Sequence, residues 1–430
     1  MLSLLKSPRI HKAGKNVTVF GTNLSDTRYK SWLAGVKMAP PDAILGITEA
    51  FLKDENPRKV NLGVGAYRDD DNKPWVLPSV KEAEKRVITQ RMNKEYAPIH
   101  GLTAFYNKSI ELALGPDAEI LMNKRNATVQ SLSGTGALRI GAAFLGLFWK
   151  GERMVYLPTP TWPNHRPIFM HSGLKVANYS YYDPNTRALN EQGLHESLCK
   201  IPEKSIVLLH ACAHNPTGVD PTEDQWCEIS CIMKERHLYP FFDLAYLGFA
   251  SGNINKDALA LRIFAADGHQ FCLAQSYAKN MGLYGERVGS LTIVCSTKDE
   301  AERVHSNLKT IIRPMYSNPP VHGARIALEI FKDDKLFCLW LEDLKVMANR
   351  TIAMRKQLTE KLISLGSTHS WEHITNQIGM FSYTGLKAEQ VARLTKEYSI
   401  YMTKDGRIAI VGLTTKNVDY VAEAIHAVTK

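Results

Sequence analysis

The sequence predicts an α/β protein: a large domain built on a mainly parallel sheet, followed by a smaller α+β domain. Three features carry this prediction. Between residues 125 and 295 seven short apolar runs alternate with helix-patterned stretches, as repeated βα units require. From 320 to 365 the pattern is helical with almost no Gly or Pro, which predicts one long connecting helix. Beyond it lie three short strand candidates and a closing helix, the mixed pattern of a small C-terminal domain.

The seven runs are 127–132, 154–157, 176–181, 205–212, 240–243, 271–275 and 290–295. Their length and apolar continuity suit strands covered on both faces. Among the intervening helices, the one after Pro221 is the plainest. Glu223 and Asp224 favour a first turn, and Trp226, Ile229, Ile232 and Met233 recur at helical spacing toward Glu235. Gly366 is suitably placed to end the long helix. The later strand candidates are 379–383, 400–403 and 407–411, and a helix is expected over 417–428.

With 430 residues, 44% of them apolar and 22% charged, the composition is that of an ordinary globular protein and excludes disordered, collagen-like and miniprotein classes. The net charge of +10 invites a nucleic-acid reading, yet half of it sits in the first 30 residues, where Lys6, Arg9, Lys12, Lys15, Arg28 and Lys30 face only Asp26. The remainder has no Lys/Arg block and no basic stripe interleaved with aromatics, so no nucleic-acid partner is expected. Residues 1–30 are basic, acid-poor and rich in hydroxyls, the composition of an organelle transit peptide, with a disordered or strapping N-terminal arm as the alternative; the expected address is the mitochondrial matrix. No run approaches the ~18–20 apolar residues of a membrane span. The seven cysteines are an odd number without C-x-x-C spacing, which predicts reduced thiols.

Functional groups in a parallel sheet gather where strands end. The run 127–132 leads into Ser133-Gly134-Thr135-Gly136 and a helix, where free N–H groups, hydroxyls and a helix dipole suit a phosphate; an ordinary tight turn would read the same way. The run 205–212 ends in His214-Asn215-Pro216-Thr217-Gly218, locally a turn. Asp243 closes an apolar run, and a carboxylate there must be paired or functional. Lys279 and Arg287 lie eight residues apart among glycines that let backbone approach closely. His210, Cys212 and His214 alternate along one strand, and His369 and His373 are four apart, but neither set has a further ligand at suitable spacing. No metal is expected, and these histidines are read as packing or hydrogen-bonded.

In chain order, Ser133-Gly134-Thr135, Trp162-x-Asn164-His165, Asn215-Pro216-Thr217-Gly218, Asp243-x-x-Tyr246, Ser276-x-x-Lys279 and Arg287 resemble the class I aminotransferases, which use pyridoxal phosphate. The resemblance runs from about residue 31 to 430. It implies a fold-type I architecture with a seven-stranded, mostly parallel sheet. It also implies an organisation of transit peptide at 1–30, N-terminal arm and first part of the small domain at 31–75, large cofactor-binding domain at 76–340, and connecting helix with small domain at 341–430.

Residue by residue, the resemblance implies that Lys279 carries the cofactor as a Schiff base and shuttles the proton. Asp243 would keep the pyridine nitrogen protonated, oriented by His165. Tyr246 and Asn215 would bond the ring oxygen, and Trp162 would stack on the ring. Ser133, Gly134, Thr135, Ser276 and Arg287 would hold the phosphate, joined by Tyr96 of a neighbouring subunit. For substrate, Arg407 would clamp the α-carboxylate and Arg313 would reach across a homodimer to the distal carboxylate near Ser317, with Gly65, Trp162 and Asn215 also in contact. The implied reaction is a reversible ping-pong exchange between L-aspartate and 2-oxoglutarate, giving oxaloacetate and L-glutamate. A NAD-dependent dehydrogenase would need G-x-G-x-x-G after an early strand and an acid ~20 residues on, and that pair is missing. A non-catalytic relative would have lost Lys279 or Asp243, and both are present.

Overall fold

The computed structural model describes residues 32–39 and 45–430. The chain forms two compact units, Met1–Asp42 and Ala43–Lys430. In the first, only a turn at 32–39 is described, so the expected transit peptide lies outside the described residues.

The second unit is organised by seven strands: β1 (Asn126–Leu132), β2 (Met154–Thr159), β3 (Lys175–Ser180), β4 (Ile206–His210), β5 (Tyr239–Leu244), β6 (Cys272–Ser276) and β7 (Val288–Val294). They lie side by side in the order β1-β7-β6-β5-β4-β2-β3. Only β7 runs against its neighbours; β6, β5, β4, β2 and β3 are parallel, and two antiparallel steps through β7 return β1 to their direction. The predicted sheet is therefore present, each run matching one strand to within a few residues.

Why the central strands read as continuous apolar runs is visible in β4. Ile206 and Leu208 point into one core and Val207 and Leu209 into another, so both faces are covered. Helices Ser133–Phe148 and Lys298–Tyr316 close one face. Helices Thr103–Leu114, Glu223–Glu235, Leu259–Ala266 and His322–Lys332 close the other. The expected helix after Pro221 starts at a capping box in which Thr222 accepts from the Gln225 N–H and Gln225 accepts in return from the Thr222 N–H.

The single helix expected over 320–365 is two, His322–Lys332 and Asp334–Ser364. Asp333 separates them: its backbone is extended, its Oδ1 accepts from the Leu336 N–H at 2.9 Å, and its Oδ2 pairs with Arg86 at 2.8 Å. An aspartate that starts a helix can interrupt a periodic pattern without Gly or Pro. The second helix straddles the boundary expected at 341. Its first half gives Leu336, Trp340 and Leu344 to the large core, and its second half gives Met354, Leu358 and Leu362 to a third core with Val60, Leu62, Ile400 and Val421.

A two-strand ribbon, Phe381–Tyr383 against Arg407–Ala409, stands between the first and third cores: Phe381 and Ala409 face one, Ile408 the other. Just before it, Gly379 has φ +84° and lies so close to the segment after β4 that a Cβ would fall 2.4 Å from that of Ala213. Gly379→Ala combines left-handed strain with this clash and should lower stability by at least about 2 kcal/mol, measured by urea denaturation.

Candidate active site

One edge of the sheet collects the chemistry. The C-terminal ends of the parallel strands deliver Ser133 after β1, Trp162 after β2, the 211–218 segment after β4, Asp243 within β5, and Ser276 to Lys279 at and after β6. Because β7 is reversed, its beginning reaches the same edge and brings Arg287 there. Together with Gly65, Phe381 and Arg407 these residues line a cavity of about 200 Å³.

Twelve of the sequence-predicted residues line that cavity: Gly65, Ser133, Gly134, Thr135, Trp162, Asn215, Asp243, Tyr246, Ser276, Lys279, Arg287 and Arg407. His165 stands immediately behind Asp243. Tyr96 and Arg313 do not line it; Tyr96 is 88% exposed, and Arg313 is exposed and donates to Ser317 Oγ at 2.9 Å. A second cavity of about 380 Å³, bordered by Arg187, Asp220, Glu372 and His373, holds none of the predicted residues.

The floor of the site is a buried carboxylate with a defined supply of protons. The backbone N–H of Asn215 points at His210 Nδ1 at 3.3 Å and can only donate, so the proton of His210 is on Nε2. That proton goes to Thr161 Oγ1 at 3.0 Å, the Thr161 hydroxyl donates to His165 Nδ1 at 2.8 Å, and His165 Nε2 donates to Asp243 Oδ2 at 3.0 Å. Burial raises the Asp243 carboxyl, but the His165 hydrogen bond and the nearby Lys279 ammonium outweigh burial and leave its pKa below the ordinary value. Asp243 is thus an ionised acceptor with Oδ1 left for a donor in the cavity.

At one end of the cavity begins the helix Ser133–Phe148, and no side chain caps its first N–H groups. Ser133 has φ +59°, which turns the chain from β1 into the helix, and its Oγ lies 2.8 Å from that of Ser276. Gly289 permits this approach, since a Cβ there would lie 2.7 Å from Ser133 Cα. Arg287 donates to the Tyr284 carbonyl at 2.9 Å and has no carboxylate partner among the described residues. Open helix N–H groups, paired hydroxyls and an unneutralised guanidinium form an anion site. Lys279 stands between it and Asp243; burial and then the Arg287 charge lower its pKa, against the opposing pull of Asp243. At the other end Arg407, only 4% exposed, donates to the Gly63 carbonyl at 3.0 Å and to Asn215 Oδ1 at 3.4 Å, while its buried Nε has no partner.

By sequence His210 reads as a packing or hydrogen-bonded histidine, and neither Thr161 nor Phe381 stands out. Thr161 adjoins the Trp162-x-Asn164-His165 motif, but a threonine in a turn carries no signature of its own. His214 bonds Thr217 at 2.8 Å and His373 bonds the Thr384 carbonyl at 3.0 Å, which accounts for the other histidines by hydrogen bonding.

Residues 57–425 match the family model for aminotransferase class I and II. The chain belongs to that family. Among curated members, the mitochondrial aspartate aminotransferases of Xenopus tropicalis and Gallus gallus are each 57% identical over 403 residues, covering 94% of this chain and 94% and 95% of theirs. Among solved structures, an aromatic-amino-acid aminotransferase from Burkholderia pseudomallei, covalently bound to pyridoxal phosphate, superposes with a TM-score of 0.91 at 43% identity, covering 93% of this chain and all of that one. In this aminotransferase the buried His210 imidazole is held neutral, its pKa driven down to about 3 mainly by burial. The unfolded chain takes up that proton near pH 6.5 and the folded one does not, so stability falls as pH drops below 6.5. His210→Gln should lessen that fall by up to about 1.4 kcal/mol per pH unit, seen as a shallower dependence of urea stability between pH 6.5 and 5.

Proposed function

We propose that this protein is a pyridoxal-phosphate-dependent aminotransferase that exchanges the amino group between L-aspartate and 2-oxoglutarate in two half-reactions. The observation that carries the reading is the meeting of Lys279, Asp243 and Arg407 in one cavity with an anion site at its end. High identity to curated mitochondrial aspartate aminotransferases supports the substrate, and the protein is mitochondrial. The matrix is the proposed compartment.

The residues fit the cofactor. The helix start at Ser133 to Thr135, with Ser276 and Arg287, takes the phosphate. Asp243, being ionised, would accept from the ring nitrogen and keep it protonated. Asn215 and Tyr246 would bond the ring oxygen, Trp162 would stack on the ring, and Lys279 would be the covalent anchor. When bound, pyridoxal phosphate supplies an electron sink for the charge left at the substrate Cα and stores the amino group between half-reactions. Lys279 Nζ, freed when the substrate amino group takes its place on the cofactor and with its basicity lowered by burial, would take the Cα proton and hand it back across the exchange. Arg407 borders the cavity without a carboxylate partner among the described residues, and a bidentate pair with a substrate carboxylate there orients the substrate so that its Cα–H faces Lys279.

Arg313 and Tyr96, on the surface, complete the site of a second subunit in a homodimer: Arg313 binds the distal carboxylate and Tyr96 the phosphate. On this reading residues 76–340 hold the cofactor, and 341–430 with the later part of 31–75 carry the α-carboxylate clamp.

The decisive experiment mixes the cofactor-loaded protein with L-aspartate alone and follows the cofactor spectrum, with L-alanine as comparison. Conversion to the pyridoxamine form is expected with aspartate far ahead of alanine, and Lys279→Ala should abolish it. Arg313→Ala should lower kcat/KM for aspartate by about thirty-fold to several-thousand-fold, and that for alanine far less. Equal losses with both amino acids would remove Arg313 as the selector.

A further inference from the structure

Arg355 lies in the second half of the helix Asp334–Ser364, 2% exposed, yet among the described residues no carboxylate is within ion-pair distance. Its guanidinium is used entirely on backbone carbonyls. Nη1 donates to Ile374 O at 2.8 Å, and Nη2 donates to Gly379 O at 2.9 Å and also to Phe381 O. Burial lowers its pKa to about 9, so such an arginine is held at a cost that apolar packing would avoid. Three carbonyls from one short stretch converge on a planar donor set that only arginine offers.

That stretch leads directly into the active cavity. Phe381, the first residue of the ribbon, places its ring 4.1 Å from the Arg407 guanidinium carbon, and both residues line the cavity. The ring is already confined on one side, since a Cβ on Gly65 would come 2.6 Å from its tip. On the backbone side, Gly218 packs so tightly that a Cβ would fall 2.9 Å from the carbonyl oxygens of both Ile378 and Phe381. Gly218 O also accepts from the Ile378 N–H at 2.7 Å. The segment is thus wedged between the Asn215 loop and Arg355, and the direction of the Phe381 ring follows from both.

Resting on the proposed role of Arg407 at the substrate α-carboxylate, we propose that Arg355 is a positioning residue for that clamp: by gathering the carbonyls of Ile374, Gly379 and Phe381 it sets the Phe381 ring against the Arg407 guanidinium. The stacked ring holds the guanidinium plane in the orientation that a carboxylate meets with two parallel hydrogen bonds. Arg355 touches neither cofactor nor substrate, so its removal acts on binding and leaves the proton-transfer machinery of Lys279 and Asp243 in place.

Arg355→Lys keeps the charge but loses the planar fork. In the cofactor-loaded enzyme it should raise KM about tenfold for L-aspartate, 2-oxoglutarate and L-alanine alike. It should lower kcat by a smaller factor than it raises KM, since the clamp also orients the Cα–H, and leave the cofactor absorbance and the aspartate-to-alanine preference unchanged, because every substrate presents an α-carboxylate. Phe381→Leu should reproduce that pattern with Arg355 intact, and the double variant should be no worse than the poorer single one. An unaltered KM in folded Arg355→Lys overturns the proposal. So does a loss confined to kcat or a changed aspartate-to-alanine preference. If Arg355→Lys fails to fold, Phe381→Leu decides, and an unaltered KM there also overturns it. Failure of the wild-type enzyme to convert aspartate would instead remove the functional reading on which the proposal stands.

Discussion

The site is organised around one negative charge kept where water is scarce. A carboxylate moved out of water is strongly disfavoured unless hydrogen bonds and positive charge replace what it lost. Asp243 obtains them from a line of donors that all point the same way, from the Asn215 N–H through His210, Thr161 and His165. The order is set at its far end, because a backbone amide cannot reverse its role. Each tautomer then follows from the one before. The chain leaves the His210 imidazole neutral and the carboxylate ionised, the state in which it can hold a proton on a bound ring nitrogen.

The same line joins the parts of the sheet edge to one another. Asn215 starts the relay through its N–H and meets Arg407 through its side chain, so the proposed carboxylate clamp and the buried acid share a loop. That loop follows β4 and is pressed by Gly379 and the ribbon beyond it. The reversal of β7 contributes the remaining element: without it Arg287 would emerge at the opposite edge of the sheet, away from the helix start at Ser133.

Much of this was legible in the residues because the strands announce themselves. Strands buried on both faces read as unbroken apolar runs, and the groups at their ends are therefore found by position alone: Ser133, Asp243, Ser276 and Lys279. The assignment of roles drew on the resemblance of the ordered motifs, since Lys279 alone would read as a surface lysine. What stayed hidden depended on contacts between distant segments. Thr161 matters because of His210, 49 residues away. Phe381 matters because of Arg407, and a phenylalanine on a strand candidate looks like core. The break at Asp333 was hidden for another reason: one extended residue that caps the next helix leaves the apolar spacing on either side almost undisturbed.

The ribbon Phe381–Tyr383 and Arg407–Ala409 is a partition between two packed interiors, with alternate residues answering to each. A substitution deep in the third core, far from any reacting atom, reaches the substrate as a slight tilt of this partition. Affinity can accordingly be retuned over evolutionary time by residues that never touch a ligand. Lys279 and Asp243, seated on the seven-stranded sheet, stand apart from that drift, and the reaction proposed for them can persist while the affinity for its substrates changes.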